Sequence, residues 1–219
     1  MRTRLGILGG TFDPIHVGHL RTAVELREEG RWQEVRLIPC GVPPHRQTPC
    51  VAAHHRLAMA GLAVRQTPGL TVDDREVRCA GPAYTVETLR GLRRDMPAAA
   101  LILVVGMDQF VKFTTWYRWQ DVFSLANLVV VERPGETAEI ADGALREKVA
   151  AGRVERLEEL HRALAGHVCF WRGTQLAVSA TQIRTAVLQG RSIQYLVPEP
   201  VRRYITRHNL YRDSCPDLS

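Results

Sequence analysis

Apolar residues 5–8 form a short aliphatic run stopped by Gly9-Gly10, the pattern of a buried strand delivered into a tight turn. Beyond Asp13-Pro14, the apolar positions Val17, Leu20, Ala23, Val24 and Leu26 recur at helical spacing until Gly30, so a helix is predicted over 17–29. Residues 35–38 read as a second strand, and the three segments make a right-handed βαβ unit. The alternation continues along the chain. It predicts helices over 52–65 and 85–94, a short helical stretch after Asp108, one helix within 145–164, and closing helices over 181–189 and 200–207. Strands are predicted over 70–77, 101–105, 128–131 and 168–171. This order implies an α/β fold: a doubly wound, mostly parallel, Rossmann-like sheet with C-terminal helices in about 178–211. Ligands of such sheets bind beyond the carboxyl ends of the strands, so the residues just after each strand matter most.

Length and composition narrow the picture. With 219 residues, 45% hydrophobic and 24% charged, a single domain spanning 1–219 is expected. The net charge of +6 and an isoelectric point near 9.4 suit an anionic partner. Arg carries most of that charge and is scattered, so phosphorylated small molecules fit as well as nucleic acid, and no nucleic-acid partner is expected. Five cysteines without C-x-x-C spacing predict reduced thiols in a cytoplasmic protein. Charged or Pro residues interrupt every hydrophobic stretch, so no membrane span is expected. The Pro-rich segment 41–49 is long enough to cover a site.

The segment GGTFDPIHVGHL, residues 9–20, is the most informative. Gly9, Gly10 and Gly18 leave room for close approach of a nucleoside or phosphate. His16 and His19, one helical turn apart, project toward one spot, and two imidazoles at a helix start can clamp a phosphate whose charge rearranges during substitution. An isolated pair of histidines is as readily a cap and a surface residue; the position after a strand and a Gly-Gly turn favours the clamp. At Val178-Ser179-Ala180-Thr181-Gln182-Ile183-Arg184, Ser179 or Thr181 can cap a helix whose free N–H groups attract anions, with Arg184 one turn inside. A plain N-cap with a solvated Arg is the competing reading. His45 and Arg46 add cations that can close on a triphosphate, or else are solvated loop charges. Gly106 comes at the end of a strand and permits close approach, while Asp108 can accept from ribose hydroxyls, hold a metal through water, or cap a helix.

The segment at 9–20 resembles the signature of the nucleotidyltransferase superfamily, similar in its H-x-G-H to the HIGH motif of class I aminoacyl-tRNA synthetases. That resemblance implies that His16 and His19 bind the ATP phosphates and stabilise the transition state, while Gly9, Gly10, Thr11, Phe12 and Gly18 line the nucleotide site. The 178–184 segment resembles the ISSTxIR element that binds the β and γ phosphates through Ser179, Thr181 and Arg184; Ala180 replaces the second Ser. The G-x-D at Gly106 and Asp108 is then expected on the adenosine side.

The neighbourhoods of Tyr84-Thr85 and Trp116-Tyr117, and the ending with Tyr195, Val201, Tyr204 and Tyr211, resemble the bacterial nicotinate-nucleotide adenylyltransferases. The resemblance implies that Trp116 stacks on a pyridine ring, that N–H groups near Thr85 and Tyr117 grip a carboxylate, and that Thr11, His45 and Tyr84 join the same pocket. Trp119 is expected to pack back on its own domain. The implied reaction is transfer of AMP from ATP to nicotinate mononucleotide in NAD biosynthesis, with His16, His19, Arg46 and Arg184 catalytic and Mg²⁺ held mainly by the ATP phosphates. Homo-oligomerisation stays open. The alternatives are an adenylyltransferase for nicotinamide mononucleotide or phosphopantetheine, a tRNA-ligase fragment, which lacks a KMSKS-like segment here, and a non-catalytic nucleotide- or nucleic-acid-binding module.

Overall fold

The computed structural model describes residues 2–43, 48–132 and 140–213. Seven strands, β1 (Arg4–Gly10), β2 (Glu34–Pro39), β3 (Leu70–Val72), β4 (Ala100–Gly106), β5 (Asn127–Val131), β6 (Arg153–Val154) and β7 (Val168–Trp171), form a sheet in the order β3-β2-β1-β4-β5-β7-β6. The ladders β1–β4, β4–β5, β5–β7 and β6–β7 are parallel, with Leu5 opposite Leu101 and Leu103 opposite Leu128. Six of the seven residues of β4 are buried, the continuous apolar run that a parallel strand covered on both faces requires.

Helices α1 (Val17–Glu29), α2 (Ala53–Val64), α3 (Arg75–Arg78), α4 (Thr85–Asp95), α5 (Met107–Phe110), α6 (Trp119–Leu125), α7 (Gly143–Gly152), α8 (Ala180–Leu188) and α9 (Glu199–Arg207) alternate with the strands and close the chain. The described residues group into two compact units, drawn from 1–9, 24–36 and 84–175, and from 10–23, 37–83 and 176–219.

In the first unit, β5 is fixed at its start by Asn127, which is fully buried. Its side-chain amide donates to the Ala163 carbonyl at 3.1 Å and its Oδ1 accepts from the His167 backbone N–H at 2.9 Å. The buried Glu25 likewise accepts from the backbone N–H and the hydroxyl of Thr174, so two buried polar groups have their hydrogen bonds met. In the second unit, α2 buries Arg56, Met59, Ala60, Ala63 and Val64, an i, i+3, i+4, i+7, i+8 stripe that faces inward for the reason helical periodicity predicts.

Three expectations change, two of secondary structure and one of the cysteines. The strand predicted over 70–77 stops at Val72, because the Asp73 carboxylate accepts from the Arg75 backbone N–H at 3.0 Å and turns the chain into α3. The helix expected within 145–164 divides into α7, β6 and a 3₁₀ turn over Leu157–Arg162. Between α5 and α6 the aromatic stretch includes a 3₁₀ turn, Phe113–Thr115, and α6 begins at Trp119. Cys79 and Cys169 are free thiols, whereas Cys50 is disulfide-bonded, which corrects the expectation of wholly reduced cysteines. Burial pushes the Cys169 thiol up to about 11.

Candidate functional site

The second unit carries the histidine turn. Strand β1 ends at Gly10, the chain passes through Thr11, Phe12, Asp13, Pro14 and Ile15, and His16 leads into α1. The His16 and His19 rings stack with centroids 3.7 Å apart and planes 25° apart. The His16 backbone N–H donates to His19 Nδ1 at 3.3 Å, so in the neutral His19 ring the proton sits on Nε2. His16 is buried, its Nδ1 has no hydrogen-bond partner among the described residues, and desolvation lowers its pKa from 6.5 to about 4. One ring of the stack is therefore neutral at physiological pH, which removes the repulsion two imidazolium ions would suffer.

Two glycines make this stack possible. A side chain on Gly18 would begin 3.0 Å from His16 Nδ1. One on Gly10 would begin 2.9 Å from the ring of Phe12, which itself meets His19 edge-on with centroids 5.1 Å apart. Gly10 thus makes room for the chain's own Phe12. The Phe12 side chain is buried, while Thr11 is half-buried and Gly9 exposed.

Helix α8 reaches the same turn. Ser179 is its N-cap and accepts from the Gln182 backbone N–H at 3.1 Å. Arg184 is buried, its Nη2 donates to the Thr181 hydroxyl at 3.1 Å, and its Nη1 donates to the Asp13 carbonyl at 2.8 Å. Arg184 is neither solvated nor remote: it lies against the turn three residues before His16.

Three residues to which sequence pattern assigns no role build the floor of the turn. The Asp13 carboxylate accepts from the Cys50 backbone N–H and from the Tyr211 hydroxyl, both at 2.7 Å. Burial first, then the adjacent Asp13 charge, raises the Tyr211 pKa. Arg56 is 1% exposed and donates to the carbonyls of Thr11 and Cys40 at 2.7 and 2.6 Å. Among the described residues Asp13, Arg56 and Arg184 are all buried here, two cations against one anion, a balance that suits an anionic substrate. Arg56 binds backbone oxygens, and Asp13 and Tyr211 find each other across the length of the chain, so no motif announces them.

The remaining predicted residues, apart from His45 and Arg46, lie in the first unit. Gly106 ends β4 and is the N-cap of α5 without a side-chain bond. Asp108 stands inside that helix and accepts from the Gln109 amide at 2.9 Å, so it does not cap it. Tyr84 is the N-cap of α4, Thr85 is its first residue, and the Tyr84 and Tyr117 rings meet at 4.7 Å. Trp116 lies tilted on the buried Phe113 at 4.7 Å, and Trp119 packs edge-on against Phe113 and Phe123, the inward placement expected for it. His45 and Arg46 lie outside the described residues. Among those described, no three His, Cys, Asp or Glu are grouped to hold a metal ion, and no helix is long and apolar enough to cross a membrane.

A parallel sheet in this strand order with a stacked histidine pair after its first strand is the arrangement of a nucleotidyltransferase, and the family model described as cytidylyltransferase-like matches residues 7–186. The chain is 45% identical over 210 residues to a protein of Chromohalobacter salexigens, covering 95% of each, and 46% identical over 212 residues to one of Pseudomonas entomophila, covering 96% of each. Both relatives are named probable nicotinate-nucleotide adenylyltransferase, and the chain belongs to that family. The fold is shared with nicotinic acid mononucleotide adenylyltransferase of Plasmodium falciparum, solved in complex with NaAD, at a TM-score of 0.74 and 15% identity over 97% of this chain and 99% of that one.

Proposed function

We propose that the protein transfers AMP from ATP to the 5′-phosphate of nicotinate mononucleotide, forming the deamido dinucleotide and releasing pyrophosphate. The carrying observation is the stack of His16 on His19 beside the buried Arg184; the names of the relatives supply the acceptor. A phosphate monoester has a second pKa of about 6, so the acceptor is already a dianionic nucleophile at neutral pH and needs no general base.

In this reading the acceptor oxygen attacks the α-phosphorus in line as the bond to pyrophosphate breaks, with no covalent enzyme intermediate. His19, its Nδ1 occupied by the His16 N–H, donates from Nε2 to an oxygen where negative charge grows. His16 is the neutral ring behind it, Arg184 contributes positive charge, and the N–H groups at the start of α8 take the leaving phosphates. Gly106 and Asp108 serve the adenosine, and Tyr84, Thr85, Trp116 and Tyr117 serve the pyridine nucleotide. His45 and Arg46 belong to the proposal on sequence grounds.

A divalent ion such as Mg²⁺ would enter with the nucleotide, held mainly by its phosphates. So held, it would neutralise part of the triphosphate charge.

The test is to incubate the protein with ATP, Mg²⁺ and, in parallel, nicotinate mononucleotide, nicotinamide mononucleotide or phosphopantetheine, and to identify the product. The deamido dinucleotide should dominate, and His19→Ala should lower its rate by roughly 10²- to 10³-fold. A dominant product from another acceptor overturns the substrate assignment, and a near-normal rate for the variant overturns the role of His19.

A further inference from the structure

We propose that Arg56 is a positioning residue for the His19 imidazole, acting through the Thr11 carbonyl and the Phe12 ring. The consequence for catalysis rests on the role given to His19 under the proposed function; the positioning itself does not.

Arg56 projects from α2 and heads the largest fully buried side chains. Its Nη1 donates to the carbonyls of Thr11 at 2.7 Å and Cys40 at 2.6 Å, its Nη2 to Gly41 at 2.9 Å, and its Nε to Val51 at 3.3 Å. All four acceptors are backbone oxygens. A buried cation is tolerated when its donors are satisfied, and the planar guanidinium fork is the side chain that can reach several divergent carbonyls at once; a lysine ammonium has neither the span nor the geometry.

The Thr11 carbonyl, held toward α2, fixes the plane of the Thr11–Phe12 peptide. Phe12 then adopts φ of 50°, in the left-handed region that bulky side chains rarely enter. Such a conformation persists where the surroundings over-determine it, and the Arg56 bond is one such constraint. In that conformation the Phe12 ring covers Gly10 and meets His19 edge-on, with planes 89° apart. His19 is thus held by the Phe12 edge as well as by the His16 backbone N–H on Nδ1. Without the Arg56 fork the peptide can turn, Phe12 can relax to negative φ, and the imidazole loses one of its walls.

An arginine that merely stabilises α2 would alter folding without altering the His19 ring. The distinguishing experiment compares wild type, Arg56→Lys, Phe12→Ala and the double variant, using ¹³C-labelled histidine for the ring resonance of His19, thermal unfolding, and steady-state dinucleotide formation. Arg56→Lys is expected to shift the His19 resonance and lower kcat at least about tenfold, with KM for ATP changed less than about threefold. Phe12→Ala should produce the same shift and loss, and the double variant should be no worse than either single, the signature of two residues acting in series.

An unshifted His19 resonance in folded Arg56→Lys, wild-type kcat in that variant, or losses that multiply in the double variant would each overturn the proposal. If Arg56→Lys does not fold, Phe12→Ala decides: an unmoved His19 resonance there removes the link between Phe12 and the histidine. A wild-type protein that forms no dinucleotide defeats the proposed reaction, and the resonance measurement still decides the positioning.

Discussion

The Tyr211 hydroxyl donates to Asp13 Oδ1 at 2.7 Å across 198 positions of sequence, and both residues are buried. This bond ties the end of the described chain to the turn that precedes His16. Because the Asp13 main-chain carbonyl also receives Arg184 and its other carboxylate oxygen receives the Cys50 N–H, a single residue gathers three distant segments behind the histidines.

Tyr211→Phe should therefore be costly for so small a change. It leaves a buried carboxylate oxygen without its donor, and a loss of about 2 kcal/mol is expected. Urea unfolding of the variant beside wild type measures it; a loss within about 0.5 kcal/mol, the size of an ordinary surface change, would contradict it.

Stability should fall as the solution is acidified below the ordinary histidine range. His16 has its pKa lowered from 6.5 to about 4 by burial, so between those values the unfolded chain binds a proton that the folded one does not. Its contribution is complete above about pH 6.5 and is lost as pH falls toward 4, a change of about 3 kcal/mol over that window. The difference between wild type and His16→Asn in pH-dependent denaturation isolates it; parallel pH profiles would count against a buried neutral ring.

Gly18→Ala separates function from folding. Alanine is the better helix former by about 1 kcal/mol, yet its methyl would start 3.0 Å from His16 Nδ1 and displace that ring. The expected variant unfolds within a few degrees of wild type and loses about tenfold or more in kcat. Unchanged turnover would show that the stack tolerates displacement.

Ser179→Ala removes the side chain that accepts from the Gln182 N–H at the start of α8. A loss of about 1 kcal/mol is expected, read by chemical denaturation. The helix also carries Arg184 to Asp13, so KM for ATP should rise as well; an unaffected KM would detach α8 from the nucleotide.

Periodicity carries much of the fold. The recurrence from Val17 to Leu26 marks α1 at the limits the structure gives, and the aliphatic run of β4 is plain because a doubly covered strand has no polar face to show. The end of β3 is not legible, because Asp73 acts there through a local side-chain bond, and the start of α6 is not, because Trp119 comes after an aromatic cluster with no apolar rhythm before it. In the site, His16, His19 and Arg184 are visible as chemistry-bearing residues at motif spacing. Arg56 and Tyr211 are not, because one binds carbonyl oxygens and the other a carboxylate nearly two hundred positions away, and neither partner leaves a mark in side-chain pattern.

The strands at the two ends of the sheet order are brief: β3 has three residues and β6 two. Such stubs expose few unpaired amides and carbonyls, so a foreign strand finds almost no template for annealing. Runaway cross-β growth from the folded state is thereby discouraged, and any self-association must be negotiated by side chains rather than by extension of the ladder.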